Sequence, residues 1–200
     1  MAGRTRRTAD EAKRLILDAA ATLLATGGVA AVQVRAVAAA AGMTDAGVNH
    51  HFGSRDQLLE ALLRHGGRRL RRAVDAVVAG WLDGAADVEA LVEALAEVYR
   101  QGYGELAISL HAAGWRDRSS GLLEPVVDAL HARRTPPASR DDTGLAVAAL
   151  HQAVALESAY GAEFRRAAGF PADRAADAGP QMAWWVAVVD GLLSGPTCPR

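Results

Sequence analysis

Apolar residues in this chain recur at helical spacing almost from the start, and no stretch shows the strict alternation of a half-buried strand. Leu15, Ile16, Ala19, Ala20, Leu23 and Leu24 fall at i, i+1, i+4, i+5, i+8 and i+9, one face of a helix. Thr8-Ala9-Asp10-Glu11 opens it as a capping box, in which hydroxyl and carboxylate satisfy free amides, and Gly27-Gly28 closes it. A second helix is expected over about Val34 to Ala41, with Val37, Ala38 and Ala41 inward. Gly42 makes a turn, Thr44 caps a third helix with Val48 and Phe52 inward, and Ser54-Arg55-Asp56-Gln57 is a second capping box. The fourth helix then runs through Leu58, Leu59, Leu62 and Leu63. Helices this short are unstable alone, so they are expected to share a core of Leu15, Leu23, Val37, Phe52, Leu58 and Leu62.

Downstream, helical segments are expected at roughly 73–83 (the end of the fourth helix), 86–102, 104–115, 121–133, 142–168 and 180–194. Breaks fall at Gly84, Gly102–Gly104, Ser119–Gly121, Thr135–Ser139 and Gly169–Pro171. The fold class is therefore all-α. Gly66-Gly67 interrupts the fourth helix at a cost of about 1 kcal/mol per glycine relative to alanine; it serves as a flexing point or as a close packing contact. Two late segments lack a polar face: Gly144–Leu156, and the last helix with Met182, Trp184, Trp185, Val186, Val188, Val189, Leu192 and Leu193. Such helices need burial on two sides. They predict a four-helix dimer interface, two helices per subunit, involving Leu145, Ala149, Gln152, Leu156, Trp184 and Val188.

Charge changes the picture. The chain of 200 residues has a net charge of -1, but residues 1–72 hold 12 basic and 6 acidic side chains and the remainder 10 and 17. A basic front and an acidic back suggest that only the front meets a polyanion. Arg4, Arg6 and Arg7 make an arm with nothing to pack. Cys198 is the single cysteine, compatible with a reducing compartment. The N-terminal basic residues precede no apolar signal region, and the charge-free run from Thr143 to Leu156, at 14 residues, is shorter than a membrane span. A cytoplasmic location without a membrane partner is the expectation.

Candidate chemistry is sparse for an enzyme. The sequence has no nucleophile elbow, no glycine-rich phosphate loop after a strand, no HExxH and no CxxC, so no catalytic residue, metal or cofactor is assigned. His50-His51 point about 100° apart on a helix and have no further ligand at suitable spacing. A helix, a tight turn and a second helix over about residues 33–52 form a helix-turn-helix, which lays its second helix into the major groove of DNA. His51 and Arg55 are candidate phosphate clamps, and Thr44 and Asn49 offer short hydrogen-bonding groups. Arg35, Asp45, Gly47 and His50 are candidate groove residues, since arginine pairs with a guanine edge and aspartate accepts from cytosine. Asp45 also suits the positive end of its helix on structural grounds alone. Farther on, Tyr99, Tyr103, His111, Trp115, His151 and Tyr160 put polar-tipped aromatics within apolar helices. These are candidates to orient a small molecule in a mainly apolar cavity, although each also suits core or interface.

The capped first helix with Arg35, Ala38, Ala41-Gly42, Thr44, His51-Phe52, Ser54-Arg55 and Leu58 resembles the N-terminal domain of tetracycline-repressor-type (TetR family) transcriptional regulators, over roughly residues 9–65. Gln33 departs from the threonine usual at the second-helix cap, and Asn49-His50 from the tyrosine-rich pair usual before His-Phe. The resemblance implies a flexible arm at 1–8, a DNA-binding domain at 9–70 and a helical ligand-binding and dimerisation domain at 71–200. It implies a homodimer that binds a double-stranded operator, represses transcription and is released by a small-molecule effector. The alternative is a helical ligand-binding or enzymatic protein with a vestigial helix-turn-helix.

Overall fold

A computed structural model describes residues 8–81, 84, 87–116, 121–134 and 139–194. The arginines of the N-terminal arm, Cys198 and most of the Thr135–Ser139 break lie outside them. Among the described residues the chain forms helices only. In order these are α1 (Ala9–Ala31), α2 (Val34–Ala41), α3 (Asp45–Phe52), α4 (Arg55–Gly80), α5 (Val88–Val98), α6 (Gly104–Ala112), α7 (Glu124–His131), α8 (Arg140–Leu156), α9 (Ala162–Ala167), α10 (Ala172–Ala176) and α11 (Gly179–Ser194). Two π-helical turns, Tyr99–Tyr103 and Glu157–Gly161, join α5 to α6 and α8 to α9.

The residues divide into two compact units, Met1–Gly66 with Gln101–Arg116, and Gly67–Arg100 with Asp117–Arg200. The division cuts α4 between the paired glycines. It also differs from a simple front-and-back split, because α6 belongs with the N-terminal helices. Gly102, at φ 86°, lets the backbone pass close to Leu24 of α1, and Leu106 and Leu110 of α6 are buried.

In the first unit the caps form as the sequence dictates. The Thr8 hydroxyl accepts from the Glu11 amide (3.2 Å) while the Thr8 amide donates to the Glu11 carboxylate (2.8 Å). Ser54 and Gln57 repeat the exchange at 3.2 and 3.1 Å. The α1 path breaks at Gly28 (φ 65°, ψ -170°) and regains one turn to Ala31. Its buried face is turned from the expected one: Ile16, Leu17, Ala20, Ala21 and Leu24 are buried, whereas Leu15 and Leu23 are half-buried. Phe52 is also half-buried; Val37, Leu58 and Leu62 are fully enclosed. α1 is long and apolar enough to cross a membrane by length and hydropathy, but its buried face packs on α2, α3 and α6, as a core helix does.

In the second unit, α5 packs on α8 and α11, and α7 on α8. Asp87 caps α5 by accepting from the Ala90 amide at 2.8 Å, and Ser139 caps α8. The expected continuous helix 142–168 contains the π turn at Glu157–Gly161, and α10 was not foreseen because five residues give no periodic signal.

Candidate functional site

The first candidate site is built on the turn between α2 and α3. Gly42 sits in the left-handed region (φ 62°, ψ 39°), which glycine enters without a steric penalty. Its amide closes α2, and Thr44 begins α3 by accepting from the Gly47 amide at 3.1 Å. Only Val48 of α3 is fully buried, so it fixes the helix by one anchor. The opposite face is left open: Thr44, Asp45, Asn49 and His50 are exposed, Gly47 and His51 half-exposed, and Arg35 is exposed near the start of α2. The His50 and His51 rings meet edge to face, with centroids 5.3 Å apart. Gln33 gives α2 no side-chain cap; its amide nitrogen donates to the Ala30 carbonyl at 2.9 Å.

Arg55, expected as a phosphate clamp, has partners within the fold. Its Nε donates to the Val32 carbonyl at 2.8 Å and its Nη2 to the Val29 carbonyl at 2.9 Å. Those carbonyls lie where α1 ends, where backbone acceptors run short of helical partners, and that of Val29 also accepts from the Val32 amide at 3.2 Å. The guanidinium therefore ties the start of α4 to the α1–α2 junction, and it is half-buried in doing so.

The second candidate site is a cavity of about 310 Å³ in the second unit, between α5, α8, the Glu157–Gly161 turn and α11. Tyr99, Val154, Glu157, Ser158, Arg165 and Met182 are among its lining. The hydroxyl of Tyr99 is hydrogen-bonded to Nε2 of His151, with ring centroids 5.5 Å apart. Burial pushes the Tyr99 hydroxyl up to about 12 and lowers the His151 imidazole, so both are neutral near pH 7. Arg165 is buried and donates through Nη1 and Nη2 to the Glu157 carboxylate (3.0 and 2.8 Å) and through Nε to the Ala175 carbonyl (2.8 Å). Gly161 makes room for this pair, since a Cβ there would collide with the Glu157 carboxylate.

Of the six aromatic candidates, only Tyr99 and His151 meet. Tyr103 is buried in the first unit with its ring flush against Gly66, which leaves no face for a ligand. His111 is exposed on α6 and Trp115 half-buried beyond its end, in that same unit. Tyr160 is exposed and lies beside Phe164, centroids 6.0 Å apart. Helical spacing paired Tyr99 with Tyr103, but the π turn between them and the left-handed Gly102 destroy that register. The Arg165–Glu157 pair was missed because eight residues across a π turn match no helical contact rule.

The residues expected at a dimer interface are largely uncovered. Leu145 is 69 % and Trp184 54 % exposed, Ala149 and Gln152 are exposed, and Leu156 and Val188 are half-buried. Phe164 (61 %) extends the same apolar surface. A hollow of about 400 Å³ lies among Ala149, Gln152, Leu156, Phe164, Gln181 and Trp185.

An all-helical chain with a Gly42 turn, a capped α3 and an open α3 face is a helix-turn-helix protein. The sequence profile of the tetR family of bacterial regulatory proteins matches residues 16–62, the whole of that arrangement up to the first turns of α4. The HTH-type transcriptional repressor KstR2 of Rhodococcus jostii (strain RHA1) is 37 % identical over 93 residues, a match that takes in 46 % of this chain and 46 % of KstR2. The multidrug binding protein EbrR, solved with imidazole, is 25 % identical with a TM-score of 0.56 over 94 % of this chain and 97 % of that one. A protein of unknown function from Rhodococcus sp. RHA1 shares the fold at 21 % identity, TM-score 0.59, over 97 % and 100 %. The chain is thus similar to the tetR family over its helix-turn-helix segment, residues 16–62.

Proposed function

We propose that the protein is a dimeric transcriptional repressor of the cytoplasm, whose α3 reads a roughly palindromic operator and whose second unit binds a small-molecule effector that releases the DNA. The observation that carries this reading is the α3 face: a helix held by Val48 and the Thr44 cap, with Asp45, Asn49 and His50 turned to solvent and Arg35 exposed nearby. Side chains of these types hydrogen-bond to base edges in the major groove or to phosphates. The domain organisation follows the two units, with the reader in the first and the effector cavity in the second. KstR2 is a repressor and EbrR a multidrug binding protein; both lend support by similarity. The unpartnered surface around Leu145 and Trp184 supports pairing of two copies, which would present two α3 helices to successive major grooves.

The test is selection of bound sequences from random duplex DNA with the full chain. A palindromic consensus is expected, with Asn49→Ala and His50→Ala altering the preferred bases. Retention of all DNA sequences alike at moderate salt would refute sequence-specific regulation.

A further inference from the structure

The cavity of the second unit is defined by what its polar groups have left to offer. Four charged side chains line it, and each is already paired. Arg165 holds Glu157 in a two-pronged pair with little solvent exposure, side chains 8 % and 19 % exposed. Arg100 holds Glu93 at 2.5 Å and Glu97 at 2.7 Å, and Arg166 holds Glu163 at 2.7 Å. Arg100 and Glu163 are more than half exposed, so within the enclosed part of the cavity a charged ligand gains an ionic partner only by breaking the Arg165–Glu157 pair. That strands a buried charge, which is strongly unfavourable.

The Tyr99–His151 pair narrows the chemistry further. A phenol is a far stronger acid than a neutral imidazole N–H, so the hydroxyl donates and Nε2 accepts. The Tyr99 proton is thereby committed to His151, and no other polar group among the described residues bonds to the phenolic oxygen. What remains on that oxygen is an acceptor lone pair. A hydroxyl or N–H on the ligand can satisfy it; a ketone, ether or ester oxygen meets it lone pair to lone pair. The other lining residues include Ala96, Val154, Ala162, Ala176 and Met182, which suit an apolar body, while the further hydroxyl, that of Ser158, belongs to an exposed residue.

We infer that the cavity takes an uncharged, mainly apolar molecule carrying a hydroxyl or N–H donor, and that the Tyr99 hydroxyl, oriented by His151, selects for that donor. The inference rests on the effector reading proposed above and adds the chemical class to it. Four probes on one ring system separate the possibilities at pH 7: 2-naphthol, 2-methoxynaphthalene, 2-naphthoate and 2-naphthylmethylammonium. Their binding to the full-length protein is followed by calorimetry, and release of the selected DNA by fluorescence anisotropy.

The naphthol is expected to bind about tenfold more tightly than its methyl ether, as for one lost buried hydrogen bond, and both charged probes more weakly still. In Tyr99→Phe the naphthol should fall to the level of the ether while the ether is unaffected, which also shows that the variant is folded. The inference is overturned if the ether or a charged probe matches the naphthol, if Tyr99→Phe keeps the preference, or if none of the four binds. Discrimination among probes in a protein that shows no sequence-specific DNA binding would leave the cavity chemistry standing and refute the regulator.

Discussion

Arg55 shows how a side chain expected to meet DNA can also serve the fold. Its position in the sequence suggested DNA, yet its Nε and Nη2 close two carbonyls at the α1–α2 junction. Removing it takes a charged donor from both carbonyls and leaves that of Val29 only the Val32 amide, so Arg55→Ala is expected to destabilise the first unit by about 1–3 kcal/mol. Thermal denaturation monitored by circular dichroism checks this; a change in DNA affinity with no change in melting temperature would restore the phosphate role. The two glycines of α4 separate in the same way. A Cβ at Gly66 collides with the buried ring of Tyr103, whereas nothing lies near one at Gly67. Gly66→Ala should therefore cost about 1–3 kcal/mol through overpacking, and Gly67→Ala should stabilise by up to about 1 kcal/mol through helix propensity. Equal effects in chemical denaturation would contradict the packing assignment. At the cavity, His151 has its imidazole pKa lowered by burial from 6.5. The unfolded chain then binds the proton more readily, so stability is full above pH 6.5 and is lost as the pH falls from there through the lower folded value. His151→Gln should remove that part of the acid sensitivity, measured as melting temperature between pH 7 and 5.

At the scale of elements, local signals were legible and long-range ones were not. Capping boxes at Thr8 and Ser54, the Gly42 turn and the bounds of α2 and α3 depend on residues within four positions of one another, and the sequence displays them directly. The rotation of α1, which buries Leu17 and leaves Leu23 half-exposed, depends on where α2, α3 and α6 arrive, and alanine-rich faces blur the distinction. The cavity was half legible. Tyr99 and His151 stand out as polar aromatics on apolar helices, but their contact spans 52 residues and Tyr103 was lost to a π turn. α8 and α11 were legible through the absence of a polar face, and both leave large apolar side chains in solvent. The proposed dimer would cover Leu145 and Trp184 together with Phe164. Leu145→Glu and Ala149→Glu, at positions already exposed in the single chain, should yield folded monomers with unchanged helicity. Light scattering at micromolar protein decides the matter, and an unchanged mass would place the interface elsewhere.

For the whole molecule, the chain passes from one unit to the other inside α4, inside the π turn after Tyr99 and again after Arg116. Tyr99 lines the cavity, and Gly102, three residues later, is pressed against Leu24 of α1. Under the proposed function, an effector in the cavity would act on the reader through these continuous stretches of chain. Such coupling is a free energy shared by both ligands. If an effector weakens operator binding by a factor of about 30, operator DNA must weaken effector binding by the same factor, roughly 2 kcal/mol. Operator affinity should also fall steeply with salt, because the basic front of the chain releases condensed counterions from DNA. Effector affinity should depend far less on salt, since the charges around the cavity are internally paired. The two titrations, each performed with and without the other ligand at two salt concentrations, therefore predict one another. Equal coupling factors at each salt are required of a single two-state switch; unequal ones would mean that the effector competes for DNA contacts directly or changes the oligomeric state.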